Sequence, residues 1–177
     1  MATYVRPLPD EPMSIDLLNT ELMLDGVPTD LLGDREGVAH WLGLHGFTAR
    51  PGPKVHQHLV VARAAIRAVL EDRPVGRARL NAVLDHARVH VQLGPDGPVR
   101  TIEVDEPSWL PAASAAVELV DLQADHGDRI RRCGHPDCVL WFLDTSKNGT
   151  RRWHSMAICG NRLKAQRHAE KVRTGEA

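Results

Sequence analysis

The sequence predicts an α+β protein in two parts: a mainly helical N-terminal domain with one β-hairpin over residues 1–128, and a small separate module over 129–177. Three observations predict it. Across Lys54–Glu71 the apolar residues Val55, Leu59, Ala62, Ile66 and Leu70 recur at three- and four-residue steps, which places them on one helix face. The alternating runs Val89–Leu93 and Val99–Val104 flank the turn-rich stretch Gly94-Pro95-Asp96-Gly97-Pro98, the pattern of a hairpin. All three cysteines fall in the last quarter of the chain, as C-x4-C, fifteen residues, then H-x4-C.

The remaining elements follow in order. Residues 1–12 are Pro-rich and read as an extended lead-in. Met13 to Leu24 spaces Ile15, Leu18, Leu22 and Met23 as a helix does, although its start also suits a strand; Gly26 to Gly33 reads as a loop around Pro28. Asp34 offers an N-cap for a short helix with Val38, Trp41 and Leu42 on one face, broken over Gly43 to Pro53. Pro74 and Gly76 end the long helix, Ala78 to Ala87 forms another short one, and Ser108 to Ala124 is an Ala-rich helix carrying Trp109. His126-Gly127-Asp128 is the natural joint.

Beyond the joint the chemistry is that of a metal site. Cys133, Cys138, His154 and Cys159 form two pairs of donors separated by enough chain for one hairpin, the arrangement of a closed tetrahedral Zn²⁺ site. Four protein ligands leave no open position, so the zinc is expected to be structural, one per chain. A Cys133–Cys138 disulfide with Cys159 as a buried apolar residue is the alternative, and a reducing compartment disfavours it. His135 is a second imidazole, but it lies inside the first cysteine pair. The order around these ligands predicts a treble-clef-like zinc module. It comprises a knuckle at 133–138, strands over Val139–Leu143 and Thr150–Trp153 joined at Asn148-Gly149, and a helix from Ser155 onward. Asp144 either orients His154 as a carboxylate partner or simply starts a turn.

This C-terminal stretch resembles the CGNR zinc finger, whose tetrapeptide stands here as Cys159-Gly160-Asn161-Arg162. The position of His154 is usually a cysteine in that family. Ile15-Asp16-Leu17-Leu18-Asn19-Thr20, Trp41-Leu42 and Leu80-Asn81 resemble the ABATE domain that commonly precedes such a finger. The resemblance implies a DNA-binding role in bacterial transcription regulators.

Charge and composition bear on that role. Residues 1–128 hold 11 Lys and Arg against 19 Asp and Glu, a balance of −8, while residues 129–177 hold 11 against 4, a balance of +7. Such a split suits a tail that binds a polyanion, or equally a basic module docked on its own acidic domain. Arg151, Arg152, Arg162, Lys164, Arg167 and Lys171 are the candidate phosphate contacts, with a solvated helix as the plainer reading. Asn161 either reads a base or else caps the turn or packs there, and Trp141, Phe142 and Trp153 either stack on bases or form a small core. Asp16, Asn19 and Thr20 line a pocket for a small-molecule effector, or else they form a structural cluster at a helix start. The other histidines read as surface or interface residues. No nucleophile, acid–base pair or phosphate loop stands out, so no enzyme is expected. No apolar run approaches a membrane span and the N-terminus has no apolar signal core, so a cytoplasmic protein is expected.

Overall fold

The computed structural model describes residues 7–174, and within the last helix the side chains up to Gln166 together with Glu170 and Arg173. The chain enters through α1 (Met13–Leu18), where every residue from Ser14 to Leu18 is buried. The expected helix to Leu24 stops there. Strands β1 (Glu21–Leu24) and β2 (Val27–Asp30) follow, in register Leu24 with Val27. The turn between them is Asp25-Gly26, with φ of 50° and 82°. Both central residues are thus left-handed, which a two-residue hairpin turn requires and Asp-Gly favours. The helix expected to Leu24 and the loop expected over 26–33 are therefore corrected to a second hairpin. Pro28 is tolerated because the ribbon has open edges.

Helix α2 (Arg35–Leu44) starts as expected: the Asp34 carboxylate accepts a hydrogen bond from Gly37 N at 2.8 Å, and Val38, Trp41 and Leu42 are buried. The organising element is α3 (Pro53–Leu70), with Val55, Leu59, Ala62, Ala65, Ile66 and Ala68 buried along one side. Helix α4 (Gly76–Leu84) crosses it so closely that a Cβ on Gly76 would lie 2.6 Å from the carbonyl of Ala68, so glycine is required there. Strands β3 (Ala87–Gly94) and β4 (Gly97–Val104) form the expected hairpin around a tighter turn, Pro95-Asp96. Its outer half leaves the core, with Leu93 88% exposed. Helix α5 (Leu110–His126) buries Ala112, Ala113, Ala115, Ala116 and Leu119 against α3, α4 and α1. Small side chains on that face let the helix axes approach. Trp109 precedes α5 in a short 3₁₀ turn and is sandwiched between the rings of His58 and His86, at 3.7 and 4.0 Å between centroids. These two histidines are therefore packing partners of an indole.

The C-terminal segment is built into the same core. Strand β5 (Ile130–Arg132) pairs antiparallel with β6 (Trp141–Leu143), and Ile130 and Trp141 belong to the apolar cluster formed by α1, α2, α3 and α5. Leu22 of β1 and Leu31 reach the other way, into a cluster with Cys133, Cys138, Leu140 and Cys159. The strand expected over Thr150–Trp153 is absent, and the partner of β6 lies upstream instead. The reason is that both edges of β6 are taken. One edge bonds β5, with Asp144 N donating to Arg129 O at 2.8 Å and Cys133 N to Leu140 O at 2.8 Å. On the other edge the Asn19 side chain pairs with the backbone of Trp141 through two 2.9 Å bonds, and Leu143 N donates to Glu11 at 2.8 Å. No edge of β6 is left for residues 150–153. Beyond them, a π-turn (Met156–Gly160) leads into α6 (Asn161–Thr174). No helix among the described residues is long and apolar enough to cross a membrane.

Candidate metal centre

The knuckle Cys133–Cys138 is the loop joining β5 to β6, and the π-turn brings Cys159 to it from the opposite side. Ser155 caps this turn, its hydroxyl accepting from Ile158 N at 3.2 Å. The three sulfurs and one ring nitrogen of Cys133, Cys138, Cys159 and His154 lie within 4.8 Å of one another, and all four residues are buried. The imidazole Nδ1 of His154 is 3.4 Å from Cys138 Sγ and 3.7 Å from Cys159 Sγ. In a tetrahedron with Zn–S of ~2.3 Å and Zn–N of ~2.0 Å, the N···S edge is about 3.5 Å. The donor set therefore fits one Zn²⁺, and it is a structural set because four protein donors fill the coordination sphere. The cysteines are free, so the disulfide alternative is set aside. His135 is also buried, but its Nδ1 accepts from Asp137 N at 3.2 Å and it stands outside the four-donor group.

The electrostatics explain why a cation belongs here. Burial, followed by the neighbouring Cys138 and Cys133 sulfurs, pushes the Cys159 thiol up to about 12. Burial also raises Cys138, with Cys133 contributing in the same direction. Three thiolates cannot share this apolar box without a positive charge between them. His154 is shifted the other way, first by burial and then by Arg151, Arg162 and His135, so its ring is neutral and able to ligate at neutral pH.

Two residues predicted for other tasks hold this centre in place. Arg151, a candidate phosphate contact, turns its guanidinium inward. Its Nε donates to Trp153 O at 2.9 Å and an Nη donates to the carbonyl of His154, while the group lies 4.7 Å from the centre of the Phe142 ring. Asp144 does not orient the His154 ring. It is fully buried, and its oxygens accept from Ser146 N and Oγ and from Arg151 N at 2.9 Å. The hydrogen bond from Ser146 is the main reason its carboxyl stays below the usual range. Asp144 thus fixes Arg151, and Arg151 fixes the backbone at the metal ligand. Arg129 and Arg131, which no motif in the sequence marks, complete the scaffold by donating to the carbonyls of Asp144, Ser146 and Gly149.

The other candidates are placed as follows. Trp141 and Phe142 are buried and serve the core, while Trp153 packs on the cysteine cluster. Arg152 is exposed over the face of Trp153, and Arg162 and Lys164 lie on α6, with Arg162 exposed and Lys164 exposed beside it. The side chains of Arg167 and Lys171 lie outside the described residues. Asn161 caps the turn through its backbone, its N–H donating to the carbonyls of Ile158 and Met156, while its side chain is exposed with no hydrogen-bond partner among the described residues. Arg132 and Lys147 are further exposed cations outside the predicted set. In the helical part, Asp16, Asn19 and Thr20 are buried and bonded within the fold. Asp16 contacts His45 Nε2 at 2.7 Å, Asn19 pairs with Trp141, and Thr20 Oγ1 donates to Leu17 O and accepts from Arg63 at 2.7 Å.

Two family models match the chain. The CGNR zinc finger covers residues 129–171, and the ABATE family, described as "Putative stress-induced transcription regulator", covers residues 11–124. No curated protein matches it at a significant level. The finger match takes in all four metal donors, and the ABATE match spans the helices and both N-terminal hairpins, which amounts to more than half of the chain. The chain belongs to the ABATE family, with a CGNR zinc finger following the ABATE domain.

Proposed function

We propose that the protein is a cytoplasmic DNA-binding transcription regulator in which one structural Zn²⁺ per chain fixes the C-terminal module and no chemistry is performed. The observation that carries this reading is the split within the tetrapeptide. Cys159 and Gly160 are buried at the metal, whereas Asn161 and Arg162 are exposed and their side chains make no hydrogen bond or ion pair among the described residues. Neither side chain is tied down by a hydrogen bond or ion pair among the described residues, and an amide beside a guanidinium is a pair suited to base edges and phosphate. Arg132, Lys147, Arg152 and Lys164 add exposed charge to the same segment. Retention on DNA as a function of salt tests the reading. Deleting one phosphate-bound cation flattens the log–log salt slope by about 0.9. The double substitution Arg152→Ala and Arg162→Ala is therefore expected to flatten it by about 2 with zinc content unchanged. An unaltered slope refutes the assignment.

A second reading has one observation in its favour. Met156 and Ile158 are 48% and 53% exposed on the turn that carries Cys159. An apolar pair there suits a protein partner, with the zinc module acting as an interaction platform. The two readings separate on whether zinc-loaded protein is retained on DNA at physiological salt.

A further inference from the structure

A second charged centre lies in the helical part. Arg63 and Arg67 of α3, Arg73 after α3 and Arg79 of α4 line a cavity of about 190 Å³ together with Glu21, Val60, Ala64 and Ala68. Arg63 is only 4% exposed, and Asp30 holds its guanidinium through bonds of 2.6 and 2.7 Å. One carboxylate oxygen of Glu21 lies 3.0 Å from Arg63 and the other 2.7 Å from Arg67. Arg73 is tied to Glu71 at 2.5 Å. Arg79 is exposed and its side chain has no partner among the described residues. Clamping the first hairpin onto α3 accounts for Arg63 and Arg67, but it gives no reason for Arg73 and Arg79 to share the same wall. Four guanidinium groups face three carboxylates, Glu21, Asp30 and Glu71, so the cluster keeps a net positive charge, and Arg63 and Arg67 are held rigid by their acidic partners before any ligand arrives.

We infer that this cavity binds a small tetrahedral oxyanion, namely a phosphoryl group of the size of inorganic phosphate. Forked guanidinium donors match such an anion, and Glu21 already shows how two of them share one ligand by giving each a separate oxygen. The volume is below the ~300–1,000 Å³ of pockets that enclose drug-sized molecules. The site therefore takes an inorganic ion or a single terminal group and does not enclose a whole nucleotide.

The test is isothermal titration of the zinc-loaded full chain with inorganic phosphate, against sodium chloride at matched ionic strength. A saturable isotherm is expected for the wild type. Arg79→Ala removes a side chain with no internal bonds, so its circular dichroism should match the wild type while phosphate binds roughly tenfold more weakly. Arg152→Ala combined with Arg162→Ala should bind phosphate as the wild type does, which separates this site from the proposed DNA surface. Absence of saturable heat, an unchanged affinity in Arg79→Ala, or loss of binding in the Arg152 and Arg162 variant each overturns the inference.

Discussion

Asn19→Ala is the most informative single perturbation, because this residue takes the place of a missing strand. Its side chain makes both hydrogen bonds that a neighbouring peptide would make to Trp141, at 2.9 Å each, across 122 positions of chain. Asn19 is 1% exposed and Trp141 6%, so truncation strands a backbone N–H and a backbone carbonyl away from water. At about 1–3 kcal/mol per buried group left unpaired, the expected loss is about 2–6 kcal/mol, a large fraction of the ~5–15 kcal/mol that holds a domain together. Asn19→Asp is the internal control. It keeps an acceptor for Trp141 N–H, loses the donor to the carbonyl, and should also destabilise the fold. The assay is urea denaturation of the zinc-loaded protein, followed by far-UV circular dichroism and by metal release. The metal should leave at a lower urea concentration in both variants, since only Val139 and Leu140 separate Trp141 from the ligand Cys138. A loss below about 1 kcal/mol in Asn19→Ala, with metal release unchanged, refutes the claim that this side chain closes the β6 edge.

Three further outcomes are expected. Zinc must displace a proton from each of three thiols, so the logarithm of its affinity should rise with pH at a slope approaching about 3 below pH ~7.5, measured by competition with a chromogenic chelator; a slope of about 1 or less would remove the sulfurs from the coordination sphere. At Asp30, burial pushes the pKa up, but the bonds from Arg63 outweigh it and the folded value is depressed. Its contribution is present above the unfolded value of about 3.9 and is lost as pH falls through the lower folded one. Asp30→Asn should therefore be less stable than the wild type at about pH 7, with the gap closing toward about pH 3, read by thermal melts across pH. Gly76→Ala should cost about 1–3 kcal/mol, because its Cβ would sit 2.6 Å from backbone atoms of Ala68 that cannot move aside; denaturation midpoints check this.

The metal donors were legible because ligand chemistry is local: sulfur and imidazole at suitable spacing narrow the choice to a few residues, and the buried Cys133–Cys138–His154–Cys159 group follows. Helix α3 and the β3–β4 hairpin were legible because each has a long, regular period. The first hairpin was not, since Leu22, Met23 and Leu24 satisfy a helical spacing as well as a strand, and only Asp25-Gly26 decides between them. The partner of β6 was illegible for a different reason. Its outer edge is closed by Asn19 and Glu11, and no spacing rule within residues 129–177 contains them. Charge was legible as a total and misleading by residue, because Arg151 is consumed internally while Arg132, outside the predicted set, faces solvent.

That borrowed edge bears on how the finger can be handled. Severed before Ile130, the C-terminal segment would lose the surfaces that cover Ile130 and Trp141 and the side chains that terminate its ribbon. Zinc alone would then have to hold a sticky, half-finished sheet, so grafting these residues onto a foreign scaffold should yield a poorly soluble fusion unless α1 and β1 travel with them.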